Sequence, residues 1–304
     1  MIYVRDFGEI SNGQRAQLFI LDNGNASVYI TDLGARIVAI NVPDKNNILT
    51  DIVLGVDNAQ SYEDGIIGIY RKTALNNKIF DAYVDGDTLK MSFLSSDADK
   101  CLPENLKLEV IFYLTNDNTL SIEYYVVGDK NIDVDFNNQI YFNLNGAITE
   151  KTVCNHTLKI NAEFYLKNYG NDIVKIPVEK TGMDFRTPVD LAETLNSEYA
   201  DIKSAAGIDH NFVLCAANED NKSSAELYCA DTGIFLECFT DSPTINIYTG
   251  NHIDYNGGKG YSHYGRYSAV CIEPQIFINE SSSDNHLKSG QEFYCKTVYR
   301  FSVK

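Results

Sequence analysis

The sequence predicts an all-β fold of large antiparallel sheets with only a few short helical turns. Three observations carry this expectation. Apolar residues recur with period 2 over long stretches, helical periodicity is nearly absent, and no alternation of strand and helix runs marks a parallel sheet. Leu106, Leu108, Val110, Phe112 and Leu114 share one face, opposite Lys107, Glu109 and Tyr113. Asn116-Asp117-Asn118 supplies a turn, and Leu120, Ile122, Tyr124 and Val126 resume the pattern opposite Ser121 and Glu123. This is an antiparallel hairpin with one buried face. Ala225 to Phe239 repeats the plan about Asp231-Thr232-Gly233, and a last strand follows from Phe293, Cys295, Thr297, Tyr299 and Phe301. Single helical turns are expected around Asn58–Asp64 and Val189–Leu195. No Pro/Gly/Ser-rich linker and no fixed repeat divides the chain, so one domain over residues 1–304, built of two packed sheets, is the expectation.

Composition narrows the function classes. Among 304 residues, 25 Lys and Arg stand against 42 Asp and Glu, a net charge of −17, which repels phosphate backbones and anionic bilayers. Neither a nucleic-acid nor a membrane partner is expected. The 20 Tyr and 15 Phe read mainly as strand packing residues. Cysteines 101, 154, 215, 229, 238, 271 and 295 are odd in number, contain no C-x-x-C and sit partly within apolar runs. They fit buried thiols in a reducing compartment rather than a disulfide framework or a zinc site. With no basic-then-apolar leader pattern at the N-terminus and no apolar run of membrane length, a cytoplasmic location is expected.

No P-loop, no G-x-G-x-x-G after a strand, no G-x-S-x-G and no H-E-x-x-H occurs, so neither a cofactor nor a metal is expected. Three segments instead embed polar groups in apolar strands: Gly207-Ile208-Asp209-His210-Asn211-Phe212-Val213, Ala269-Val270-Cys271-Ile272-Glu273-Pro274-Gln275 and Asn138-Gln139-Ile140-Tyr141-Phe142-Asn143-Leu144. A buried carboxylate must be hydrogen-bonded or its burial costs several kcal/mol, and burial suits it to general-base work near neutral pH. The plain alternative for Glu273 and Asp209 is a salt-bridged or edge-strand acid. By pattern Asn143 reads as a strand-end hydrogen-bond anchor more readily than as a ligand contact.

The order and content of these segments resemble the aldose 1-epimerase (galactose mutarotase) family. The likeness begins at Ile30-Thr31-Asp32-Leu33-Gly34-Ala35 and runs through Asp51-Ile52-Val53-Leu54-Gly55, Tyr141-Phe142-Asn143-Leu144 and Asp184-Phe185-Arg186. It ends with Gly207-Ile208-Asp209-His210, Tyr248-Thr249-Gly250-Asn251, Ile272-Glu273-Pro274-Gln275 and Leu287-Lys288-Ser289-Gly290-Gln291. Each piece is weak alone; their collinear order is specific.

The resemblance implies a β-supersandwich, galactose mutarotase-like fold and a metal-free interconversion of the α and β anomers of a free aldose. It places Glu273 as the general base and Asp209 as a ligand of sugar hydroxyls, with Arg71, Asn143 and Gln275 as further substrate-binding candidates. The partner is then a monosaccharide or a related sugar. The family's acid, a His, is replaced by Gln139, whose amide donates a hydrogen bond but has no proton to transfer. The family's earlier His loop has no counterpart in Met91–Leu102. Asn76 or Asn77 stands nearest the family's missing asparagine. His252 and His263 are candidate substitute donors, whereas His210 points away from Asp209 if both lie in one strand. An isomerase with altered acid catalysis is therefore expected, the alternative being a catalytically silent sugar-binding or sensor protein. A sugar phosphate would need arginines such as Arg71, Arg186 and Arg266 over the site.

Overall fold

The computed structural model describes residues 1–64, 75–96, 105–130, 132–133, 139–169, 172–215, 222–275 and 286–304. Strands β1 (Ile2–Glu9), β2 (Arg15–Asp22), β3 (Ser27–Thr31), β4 (Arg36–Pro43) and β5 (Leu49–Asp51) form a five-stranded antiparallel sheet in that order. Helix α1 (Ala59–Asp64) follows, then β6 (Asp81–Asp85), β7 (Thr88–Leu94), β8 (Lys107–Leu114), β9 (Thr119–Val127), β10 (Ile132–Asp133) and β11 (Tyr141–Phe142). Next come β12 (His156–Ile160), β13 (Ala162–Tyr169), β14 (Asp172–Pro177), β15 (Val189–Asp190), α2 (Leu191–Leu195), α3 (Ala200–Ser204), β16 (Asp209–Leu214), β17 (Ala225–Cys229) and β18 (Ile234–Thr240). The chain ends with β19 (Thr244–Tyr248), β20 (Tyr255–Asn256), β21 (His263–Tyr264), β22 (Val270–Gln275), β23 (His286–Leu287) and β24 (Glu292–Val303).

Among the described residues two larger sheets carry most of the rest, and β10-β23 and β20-β21 form two small two-stranded sheets. One has nine strands in the order β15-β12-β17-β18-β24-β9-β8-β7-β6, and the other six in the order β11-β22-β19-β16-β13-β14. Period-2 patterning explains their contact. Leu108, Val110, Phe112, Leu120, Ile122, Val126, Tyr299 and Phe301 of the nine-stranded sheet are buried in one cluster with Phe142, Phe212, Ile245, Ile247 and Ile272 of the six-stranded sheet. The rings of Phe142 and Tyr299 meet across the interface with centroids 5.4 Å apart. Full burial of each such side chain contributes about 1.5–3 kcal/mol. The packed pair is therefore the one foreseen from alternation, and the five-stranded N-terminal sheet is an addition to it.

The turns follow their residues. Asn118 takes φ +59° in the β8–β9 hairpin, and Gly233 takes φ +72° between β17 and β18. The two expected helical turns are α1 and α2, while α3 was not expected from the sequence. The six described cysteines are free thiols. No helix among the described residues is long and apolar enough to cross a membrane.

One buried histidine ties the strands to the loop beyond β11. His156 Nε2 accepts from the Leu144 N–H at 2.9 Å, which leaves the ring proton on Nδ1, 2.9 Å from Asn155 Oδ1. Burial pushes its pKa down to about 3, so the folded ring is neutral. Below the unfolded value near 6.5 the unfolded chain takes up a proton that the folded chain refuses. Stability attached to this ring is thus present above pH ~6.5 and falls by roughly 1.4 kcal/mol per pH unit as pH drops towards 3. We expect His156→Gln, which keeps an acceptor and a donor, to flatten this slope: between pH 7 and pH 5 the wild type should lose about 2 kcal/mol more than the variant in urea unfolding.

Candidate active site

The six-stranded sheet turns one face to the nine-stranded sheet, and register decides which side chains share the other. Tyr141 pairs with Cys271, Cys271 with Tyr248, and Tyr248 with Asp209, giving one outward row. Two residues along lies the next row, in which Glu273 pairs with Asn246 and Asn246 with Asn211. Gln275, Thr244 and Val213 make the third. Gln139, two residues before Tyr141, flanks the second row beside Glu273. Side chains alternate along every strand, so Ile272, Ile247 and His210 face inward.

Glu273 is 3% exposed although its strand is flanked on both sides. Gln139 Nε2 donates to Glu273 Oε1 at 3.1 Å. This contact answers part of the burial cost, because a hydrogen bond to a charged acceptor contributes more than a neutral one. From below, the Tyr299 hydroxyl donates to the Ile272 carbonyl at 3.0 Å and holds the strand in place. Burial, with the charge of Glu273 as a smaller contribution, keeps the phenols of Tyr124 and Tyr299 protonated far above their ordinary range.

Asp209 lies on the same face, exposed to solvent, two strands away and one same-face step along. From strand spacing and rise, its Cα lies on the order of 10 Å from that of Glu273. Tyr248 stands beside Asp209, with its hydroxyl accepting from the His252 N–H at 3.0 Å. Burial raises its pKa, and the Asp209 charge adds to the effect. His210 faces inward as expected, its ring edge-on to Tyr165 with centroids 5.9 Å apart, and burial lowers its pKa.

The remaining candidates divide. Gln275 is on the outward face, but its Oε1 is engaged by Asn211 Nδ2 at 2.7 Å. Asn211 Oδ1 is buried and has no partner among the described residues. Asn143 is buried, and its amide is committed: Nδ2 donates to the carbonyls of Lys151 and Ser268, each at 2.9 Å, and Oδ1 accepts from Asn145. It therefore anchors two loops behind the site. Arg71 lies outside the described residues, as do residues 97–102 of the Met91–Leu102 stretch. The carbonyl of Asn76 accepts from the Arg36 guanidinium at 3.2 Å, and His263 is bonded to Asp254 at 2.9 Å. Arg186 is held by Asp184, and Arg266 stacks on Tyr267 with 4.4 Å to the ring centroid. Asn211 and Asn246 were not singled out from sequence, although Ile245-Asn246-Ile247 carries the signal, a polar residue alternating with buried apolar ones.

The aldose 1-epimerase family profile matches residues 73–300, three quarters of the chain. The chain belongs to the aldose 1-epimerase family. The aldose 1-epimerase of Escherichia coli strain K12 is 27% identical over 345 residues, covering 95% of this chain and 96% of that protein. Human galactose mutarotase is 27% identical over 341 residues, covering 98% and 97%. Two crystal structures share the fold. The aldose epimerase homologue from C. elegans superposes with a TM-score of 0.81 at 22% identity, covering 95% of this chain and 99% of that one. The galactose 1-epimerase of Lactobacillus acidophilus gives 0.81 at 20% identity, covering 100% and 99%.

For this aldose 1-epimerase family member the committed amide of Asn143 yields a direct expectation. Asn143→Ala leaves two partly buried carbonyls without their donor. It should lower the unfolding free energy in guanidinium titration by about 2 kcal/mol, since each hydrogen bond lost costs about 1.

Proposed function

We propose that this protein binds a free aldose between Asp209 and Glu273 and interconverts its anomers with Glu273 as general base. The observation that carries the reading is a buried carboxylate, Glu273, bonded to Gln139 on the same outward face as Asp209. Sugar-anomer interconversion is the chemistry that membership of the aldose 1-epimerase family supports.

In this reading Glu273 removes the proton from the C1 hydroxyl while the ring oxygen gains one. The C1–ring oxygen bond breaks, the aldehyde forms, and rotation about C1–C2 followed by the reverse steps closes the other anomer. The Asp209 carboxylate accepts hydrogen bonds from sugar hydroxyls, a good match for a polar, uncharged ligand. Gln139 orients Glu273 through its amide and has no proton to give, so water supplies the ring oxygen's proton. A missing general acid costs about 10²–10⁴ in rate. The same residue favours a second reading, a sugar-binding protein without turnover on the same face.

Polarimetry and NMR exchange across hexoses and pentoses separate the two. The first reading expects interconversion above the spontaneous rate, its collapse in Glu273→Gln, and a gain of at least tenfold in Gln139→His as an acid is restored. Calorimetric binding that is lost in Asp209→Ala, with no acceleration by the wild type, would select the second reading. Neither acceleration nor binding for any sugar would sink both.

A further inference from the structure

Asp209 opens strand β16, and the turn that delivers it is held more tightly than any strand end requires. Gly207 takes φ +143°, and a Cβ there would meet Asn251 Oδ1 at 2.2 Å and Thr249 Oγ1 at 2.8 Å. Thr249 and Asn251 are 0% and 3% exposed, so this contact is sealed from water. Thr249 Oγ1 accepts from the Ile208 N–H at 2.9 Å and donates to Asn251 Oδ1 at 2.6 Å. The Asn251 amide then donates to the carbonyls of Ala205 at 2.8 Å and Ile208 at 3.0 Å. The Thr249 N–H donates to the Ile208 carbonyl at 3.0 Å.

A second layer holds the residue between them. The Ala206 carbonyl accepts from the Tyr267 hydroxyl at 2.7 Å and from Arg266 Nη2 at 2.9 Å. Tyr267 is tied back to the same loop, its N–H donating to the Gly250 carbonyl at 3.0 Å. Ala206 (φ +54°) and Tyr267 (φ +64°) are both non-glycine residues in the left-handed region. Such a conformation costs of order 1–3 kcal/mol and persists only where the surroundings over-determine it. Here two strained residues contact each other one turn away from an exposed carboxylate. The Asp209 N–H is held too, donating to His210 Nδ1 at 3.1 Å.

We propose that Thr249 and Asn251 are positioning residues that set the aim of the Asp209 carboxylate, with Tyr267 locking the turn from outside. This rests on the reading of Asp209 as a sugar ligand. The segment Tyr248-Thr249-Gly250-Asn251 acts on the sugar through the backbone of Ala205–Asp209: Tyr248 pairs with Asp209 while Thr249 and Asn251, just past the strand end, reach under the turn. A carboxylate on a frozen backbone loses less freedom on binding than one on a loose turn, and the difference appears in affinity rather than in the chemical step.

The test combines binding, turnover and amide exchange. Thr249→Val should weaken sugar affinity about tenfold, the loss of roughly one hydrogen bond's worth of order, with the rate at saturating sugar within about twofold. Thr249→Ser, which keeps the hydroxyl, should restore affinity. Tyr267→Phe should act in the same direction as Thr249→Val while disturbing a partly buried site only. Adding Thr249→Val to Asp209→Ala should cost nothing further, because the positioned group is gone. Independently of any sugar, the Ile208 amide should exchange at least tenfold faster in Thr249→Val. Wild-type affinity in Thr249→Val and Tyr267→Phe, alongside a clear loss in Asp209→Ala, would overturn the inference alone. Wild-type affinity in Asp209→Ala would overturn the reading of Asp209 as a ligand, and the inference with it.

Discussion

The register between β22 and β19 is the constraint on which the site depends. Because the side-chain period of a strand is two, a slip of one residue moves every side chain to the other face. Such a slip would drive Glu273 into the core beside Phe142 and Tyr299 and would expose Ile272. The core opposes it. Ile272 and Ile247 are buried without residual exposure, the Tyr299 hydroxyl holds the Ile272 carbonyl, and Thr244 Oγ1 donates to the Gln275 carbonyl at 2.9 Å. The apolar side of the strand thus determines where its polar side stands. The row of Gln139, Glu273, Asn246 and Asn211 follows from packing on the face it does not share.

That dependence also explains what could be read from the sequence. Alternation located β8, β9, β17, β18 and β24 within a residue or two, since each is a local pattern with a turn at its end. It also put Asp209 and His210 on opposite faces. The neighbour relations of the site were not legible. Gln139 and Glu273 are 134 residues apart, and Asn211 and Gln275 are 64 apart. Nothing in either local pattern specifies which strand lies beside which. The five-stranded arrangement of β1–β5 was missed for the same reason. Pattern alone favoured a strand-end anchor at Asn143, while the resemblance put it among the sugar contacts; its amide bonds two backbone carbonyls.

The two acidic residues are served by opposite means. Glu273 is immobilised by burial within a sheet, where its side chain has little room and an amide donor fixes one oxygen. Asp209 keeps its side chain in solvent, and what is fixed is the chain on either side of it. The strain at Ala206 and Tyr267 and the buried bonds of Thr249 and Asn251 are concentrated at that one turn. An exposed carboxylate can accept bonds from a ligand in several directions, so order has to come from the backbone. The general-base role proposed for Glu273 needs a single direction, which packing supplies.

This contrast bears on why a carboxylate stands at 273 at all. Even when it is well hydrogen-bonded, a charged group in the interior is a poor choice for stability, and an apolar residue of similar volume is often as good or better. A Glu at 3% exposure between two strands is therefore not a choice that stability explains. Gln139 reduces that cost through a hydrogen bond, and where stability alone set the choice a Gln or Leu would serve at position 273. Asp209 raises no such question, since its exposed carboxylate costs little. The buried member of the pair is the one that packing alone does not explain, and the general-base role proposed for it would supply a reason, since burial suits a carboxylate to proton abstraction.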